Sequence, residues 1–330
     1  MEPTFDLLCM GRSSIDLYAN EIGAPFAEVR SFAAYVGGSP TNVAVAARRL
    51  GLRVALLTAV GEDLVGDFVL NFLAREGVAA GSSPRKAGRR TSAFMLAIQP
   101  PDEFHIVPYR DNCADLELTP EDVRAAPVAA SRALLVTGSG LSREPSRAAT
   151  RFAAERARAH GSRVVLDLDV RAELWPDPRA YAAEVRALLP LTDVVVGTVE
   201  EVEAALGAGA RGAAESARPP DALAEGVDEL LAAGPEAVVV KRGARSTLVR
   251  ARGGEWVEAA TFRVEVLNVL GAGDAFAGGF LYGYLRGWDW QRAARMGNAC
   301  GAIVVTRHGC ANFMPREDEA LQFIRDRGGF

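Results

Sequence analysis

Short apolar runs rich in Val, Leu and Ala recur along this 330-residue chain, each closed by glycine or a polar residue and most followed by a stretch of helical character. Strands are predicted over Phe5 to Met10, Arg53 to Val60, Ala133 to Thr137, Arg163 to Asp169, from Val194, and over Ala237 to Val240. Runs this continuous suit strands buried on both faces. Their alternation with helices means a mostly parallel sheet with helices on both sides, an α/β fold. Open sheets of this kind place ligands beyond the carboxyl ends of their strands, so the polar residues that follow each run are the first candidates for function.

Arg12, Asp16 and Tyr18 follow the first strand. Asp16 fits two roles there, a turn acid or a holder of a substrate hydroxyl. Gly37-Gly38-Ser39-Pro40-Thr41-Asn42, running on to Gly51, predicts a helix with Ser39 as N-cap and Pro40 in the first helical position. Asn42 is unfavourable inside a helix unless its amide is used, which makes it a candidate to grip a ligand hydroxyl. Further helices are expected between Gly61 and Gly77 and over 144–160, the latter stopped by Gly161. Thr91 to Ile98 and Glu103 to Tyr109 predict a hairpin rather than another strand–helix unit. With residues 12–36 it would form a small extra sheet, a lid whose segments run at about 12–36 and 88–112. Residues 207–226, rich in Ala, Gly and Pro, are expected to be a surface insertion apart from the chemistry.

Asp167-Leu168-Asp169-Val170-Arg171 ends its strand with two acids and a base, and Glu200 and Glu201 open the helix after the next strand. Such acids are either solvated helix-start groups or holders of a hydrated Mg²⁺ beside ATP phosphates. Lys241, one of two lysines in the chain, sits with Gly243 where a strand gives way to a turn, a place for a phosphate contact. Near the C-terminus, Gly271-Ala272-Gly273-Asp274 stands between an apolar run and a helix. Its glycines leave backbone N–H groups free to face an anion at a helix N-terminus, and Asp274 in the first turn is near enough to accept a proton from an attacking hydroxyl. A tight turn with a capping acid is the other reading. A second late helix, from Gln291 to Arg307, carries small residues around Asn298 that suit packing against a flat ligand or another helix. The chain has no Gly-x-x-x-x-Gly-Lys-[Ser/Thr], and the Gly-Ala-Gly lies too late for a dinucleotide loop after a first strand.

With 49% hydrophobic residues the chain can bury a large core. A net charge of −5 and pI near 5.5, with no basic block, speak against nucleic acid or anionic membrane as partner. No apolar run reaches bilayer length, and the acidic N-terminus lacks the basic region of a signal peptide, so a cytoplasmic location is expected. Cys9, Cys113, Cys300 and Cys310 form no Cys-x-x-Cys pair and the three histidines are scattered, so reduced thiols and no structural zinc are expected.

Taken together these residues resemble the ribokinase-like, pfkB-type carbohydrate kinases over essentially the full length. Gly37-Gly38 with Asn42 and Ala44, and Gly271-Ala-Gly-Asp274, carry the resemblance. It implies a three-layer αβα sandwich with a mostly parallel central sheet and a small β-lid, in one kinase domain over 1–330, with ATP and Mg²⁺ as cofactors. By position, Asp274 would be the general base and the amides of Gly271, Ala272 and Gly273 the anion hole. Gly38 and Asn42 would bind the sugar, and Glu200 would meet Mg²⁺ through water. Lys241, Gly243 and Asn298 are the candidates for the nucleotide, with Gly271 and Gly273.

Two departures stand out: Asn268-Val269 where the family has Asp-Thr, a place linked to a monovalent cation such as K⁺, and Gly197 where it has Asn. These departures, with segments such as Tyr109-Arg-Asp-Asn-Cys-Ala-Asp115 and His308-Gly-Cys-Ala-Asn-Phe-Met-Pro315, look like a branch of inositol catabolism. That branch phosphorylates the terminal C6 hydroxyl of a keto-deoxy sugar acid, 5-dehydro-2-deoxygluconate. Kinases for 2-keto-3-deoxygluconate or fructose share the catalytic residues, and a silent sugar- or nucleotide-sensing protein can use the same fold. An acid substrate needs a cation in a dry site, and Arg12, Arg110 and Arg171 are the candidates. Pairing of two copies through the lid occurs among such kinases.

Overall fold

The computed structural model describes residues 3–100, 103–207 and 220–330. The chain begins with β1 (Phe5–Met10), leaves the main body for β2 (Ser14–Ala19) and β3 (Phe32–Gly37), and returns through α1 (Ser39–Arg49) to β4 (Val54–Leu57). A short β5 (Val60–Gly61) and α2 (Leu64–Glu76) lead to a second excursion through β6 (Arg85–Lys86), β7 (Ser92–Gln99) and β8 (Glu103–Tyr109). Strands and helices then alternate through α3 (Pro120–Ala125), β9 (Ser131–Thr137), α4 (Ser146–Ala159), β10 (Arg163–Asp167), α5 (Pro178–Leu188), β11 (Val194–Thr198) and α6 (Val199–Ala205). After α7 (Pro220–Ala232) come β12 (Ala237–Lys241), β13 (Ser246–Ala251) and β14 (Trp256–Ala260). The closing helices are α8 (Ala272–Leu285), α9 (Trp290–Val304) and α10 (Glu317–Arg325).

The main sheet has the order β14-β13-β12-β11-β10-β9-β1-β4, parallel from β4 to β12, with β13 and β14 added antiparallel at one edge. Successive side chains of a strand point to opposite faces, so each buried run feeds two cores. Leu7 and Cys9 join α1, α2, α8, α9 and α10 on one face, while Leu8 and Met10 join α3 to α7 on the other. The result is the expected αβα sandwich. The lid is a separate sheet of order β3-β2-β7-β8, built from the two predicted segments. The chain after α9 straps it down: Tyr18 Oη lies 2.9 Å from Cys310 Sγ, His308 Nε2 2.8 Å from the Ala19 carbonyl, and Val36 N–H donates to Asn312 Oδ1 at 3.0 Å.

Local expectations change at several points. The strand expected over 53–60 divides, because Val54–Leu57 pairs with β1 whereas Val60–Gly61 pairs with β6. The expected run from Arg163 to Asp169 ends at Asp167, since Asp169 turns the chain away at φ 31°. The N-cap of α1 is Gly38, not Ser39; the bend needs φ 101°, and a Cβ at Gly38 would lie 2.3 Å from the Arg12 carbonyl oxygen. Ser39 thereby becomes the first helical residue, free to turn its hydroxyl inward. Of the expected insertion at 207–226, residues 208–219 lie outside the described residues, and from Pro220 the chain is already helical and packs Leu223 and Val227 into the core. The edge strand β14, with no period strong enough to announce it, was not expected.

Candidate active site

The N-terminal turns of α1 and α8 meet through Asn42 and Asp274, and the Asp274 carboxylate is partly buried between them. Gly271 is the N-cap of α8 at φ 81°, a left-handed turn whose Cα packs so closely on Cys310 that a Cβ would sit 2.8 Å from Sγ. The turn leaves the first N–H groups of α8 facing outward. Ala272 N–H makes only a long 3.3 Å bond to the Val269 carbonyl, and among the described residues the N–H groups of Gly271, Gly273 and Asp274 have no acceptor within bonding distance. They form a nest for an anion at the positive end of the helix.

Asp274 Oδ2 accepts from Asn42 Nδ2 at 2.7 Å, and the nearby Ser39 hydroxyl also favours the charged carboxylate. Burial raises the pKa of Asp274; these two groups pull the other way. The Oδ1 of Asn42 is itself buried and without a partner among the described residues, an acceptor left for a ligand hydroxyl. Asp16 is buried too, its Oδ1 accepting from Ser14 Oγ at 2.7 Å, and burial raises its pKa against the pull of Arg12.

A cavity of about 800 Å³ brings most of the predicted residues together: Arg12, Asp16, Gly38, Asn42, Arg110, Arg171, Gly271 and Asp274. The three arginines differ in what they are free to do. Arg110 is held at 2.5 Å by Asp115, and Arg171 at 2.8 Å by Asp169. Arg12 has no carboxylate within ion-pair distance among the described residues; its guanidinium lies over the Phe94 ring, 4.5 Å from the centroid, and touches Ser14 Oγ at 3.4 Å. Burial lowers its pKa, and Arg110 adds to that.

Lys241 approaches the same nest from β12, its Nζ 3.3 Å from the point a Cβ on Gly273 would occupy. It lies 3.8 Å from Asp167 and 3.9 Å from Glu201. Burial opposes its charge, but Asp167 and Glu201 more than offset this and its pKa is raised. Glu201 is committed, accepting from Thr198 N–H at 2.8 Å and Val170 N–H at 3.2 Å. Glu200, beside it in the first turn of α6, makes no side-chain bond among the described residues.

Gly243 turns between β12 and β13 at φ 57° with open space beside its Cα. Asn298 is used otherwise than expected of a nucleotide contact. Its Nδ2 donates to the carbonyls of Ala259 and Ala260 at 3.0 and 3.1 Å, and its Oδ1 accepts from Thr247 at 2.7 Å, so the amide stitches α9 to β13 and β14. Asn268 does not suit a monovalent cation. Its Oδ1 is taken by Leu270 N–H at 3.0 Å, and the group it leaves buried and unbonded is the Nδ2 donor, where a cation needs oxygen. Ser39, Ser139, Phe94, Leu270 and Cys310 also line the cavity, and none was singled out from sequence as a ligand group.

A base beside an anion nest, facing a cavity with polar groups for hydroxyls, is equipped for phosphoryl transfer to an alcohol. The chain belongs to the pfkB family of carbohydrate kinases, whose profile matches residues 4–317. It is an ATP-dependent sugar kinase. Among its relatives, the 5-dehydro-2-deoxygluconokinase of Shouchella clausii (strain KSM-K16) is 34% identical over 324 residues, covering 98% of this chain and 96% of the relative. The protein of the same name from Clostridium tetani (strain Massachusetts / E88) is 34% identical over 323 residues, covering 98% and 93%. The structure of a fructokinase with bound ATP from Xylella fastidiosa matches with a TM-score of 0.83 at 29% identity over 98% of both chains.

The raised pKa of Asp274 has a kinetic consequence. A general base works only when ionised, so kcat/KM falls as pH drops through that pKa. The acid limb of the pH profile is expected above the ordinary aspartate value of 3.8 and is expected to move further up in Asn42→Ala, which loses a donor to the carboxylate. An acid limb unmoved by Asn42→Ala contradicts this assignment.

Proposed function

We propose that the protein transfers the γ-phosphoryl group of MgATP to the C6 hydroxyl of 5-dehydro-2-deoxy-D-gluconate, a step of myo-inositol catabolism. Arg12 carries this reading: a half-buried cation on the lid side of the cavity, in no ion pair among the described residues, matches a substrate that brings a carboxylate. The names of the relatives support the same substrate. In the proposed reaction, Asp16 and the free Oδ1 of Asn42 hold sugar hydroxyls. Asp274 accepts the C6 proton as that oxygen bonds to the γ-phosphorus and the bond to the ADP oxygen breaks. The amides of Gly271 to Gly273, with Lys241, steady the charge on the moving phosphoryl group. When bound with ATP, Mg²⁺ would supply charge neutralisation at the phosphates, and Glu200 would hold it through water. ATP as co-substrate and four free, buried cysteines suit a reducing cytoplasm.

The lid supports a homodimer. The outer strand β8 is paired on one edge only, and Tyr109 at its end is 59% exposed outside the cavity, while Phe104 and Ile106 line the cavity instead. Sedimentation equilibrium is expected to give a dimer, and a wild type that stays monomeric at all concentrations contradicts it.

A coupled ADP-release assay across 5-dehydro-2-deoxygluconate, 2-keto-3-deoxygluconate and fructose tests the substrate. The first is expected to give the highest kcat/KM. Arg12→Ala is expected to raise the KM for the acid by about 10- to 100-fold, the worth of one charged hydrogen bond, and to leave fructose unaffected. Equal effects on acid and neutral sugar, or binding of the acid with no ADP release, would sink this reading.

A further inference from the structure

The turn Leu168-Asp169-Val170 is held by more contacts than a surface connection needs. Asp169 takes φ 31°, a conformation that a non-glycine residue keeps only when its surroundings impose it. Here they do. Leu168 N–H bonds to the Val196 carbonyl at 2.9 Å, the Tyr181 hydroxyl donates to the Leu168 carbonyl at 2.7 Å, and Val170 N–H donates to Glu201 Oε1 at 3.2 Å. The outcome is a carboxylate only 5% exposed, with Oδ2 accepting from Ser139 Oγ at 2.7 Å and Oδ1 pairing with Arg171 at 2.8 Å.

Arg171 has a long side chain that is about half exposed, and left alone it would sample many rotamers. Its partner ends that freedom and keeps the guanidinium in the wall that also contains Ser139, Gly271 and Asp274. Arg171 raises no conflict with the base, since its charge and that of Asp274 favour each other. Lys241, near the same nest, has Asp167 at 3.8 Å and Glu201 at 3.9 Å from its ammonium, a looser arrangement than the Asp169–Arg171 pair.

We propose that Asp169 is a positioning residue that holds Arg171 beside Asp274, so that Arg171 meets the transferring phosphoryl group while the substrate carboxylate is left to Arg12. The proposal rests on the transfer chemistry given above but not on which sugar is the acceptor. It assigns Arg171 to the step that moves charge onto the phosphoryl oxygens, where a fixed cation lowers the barrier more than it tightens ground-state binding.

The test is steady-state kinetics of the full chain as wild type, Asp169→Asn, Arg171→Ala and the double variant, with thermal melting of each. Asparagine tolerates positive φ and can still accept from Ser139, so Asp169→Asn keeps the turn. It is expected to lower kcat by about 10- to 100-fold while the KM for the sugar acid stays within about twofold. Arg171→Ala, which leaves the turn alone, is expected to show the same signature, and adding Asp169→Asn to it is expected to cost nothing more. Losses that multiply in the double variant, or a raised sugar-acid KM with kcat preserved, overturn the proposal. A wild type that turns over only fructose would refute the substrate reading instead; the same cycle on fructose then carries the same expectation for Asp169.

Discussion

One hydrogen bond joins the two ends of the chain's chemistry: Asn42 in the first turn of α1 donates to Asp274 in the first turn of α8. Two helix N-termini converge on a partly buried carboxylate, each lending it a positive dipole end, while loss of water raises its proton affinity. A carboxylate in that position is a better base than one in solution, and the hydrogen bond from Asn42, with the Ser39 hydroxyl nearby, favours its ionised form. The left-handed turn at Gly271 completes the site. Without it the first amides of α8 would not face the same space as the acid.

The sheet makes this meeting possible. Residues that follow β1, β10, β11 and β12 all emerge at one edge, so Arg12, Asp169, Glu201 and Lys241 arrive from distant parts of the sequence at the side of the nest. The lid adds what the sheet edge lacks, a roof with apolar rings and guanidinium groups. Its attachment through Cys310, His308 and Asn312 ties the roof to the loop that also packs against Gly271. Lid and anion nest therefore share one structural support.

Much of this was legible in the sequence because it is local. Buried parallel strands write themselves as continuous apolar runs, and Gly-Ala-Gly-Asp or Gly-Gly-Ser-Pro-Thr-Asn describe a turn and a helix start within a few residues. The hairpin of the lid was equally plain. What escaped depends on partners far away in sequence. That Arg12, unlike Arg110 and Arg171, is in no ion pair among the described residues follows from where Asp115 and Asp169 fall in space. That Asn298 is a stitch between α9 and the edge strands follows from Ala259, Ala260 and Thr247 arriving beside it, and β14 itself, a weakly patterned edge strand, gave no signal. Ser39 was misassigned as a cap because the strain at Gly38 comes from the carbonyl of Arg12, which only the fold brings near.

The central claim is that Asp274 takes the proton of the acceptor hydroxyl. Single-turnover phosphoryl transfer by Asp274→Asn, with MgATP and sugar both saturating, tests it most directly. The account predicts a rate lower by about 10² to 10⁴ in a protein that still binds both substrates; transfer at the wild-type rate would contradict it.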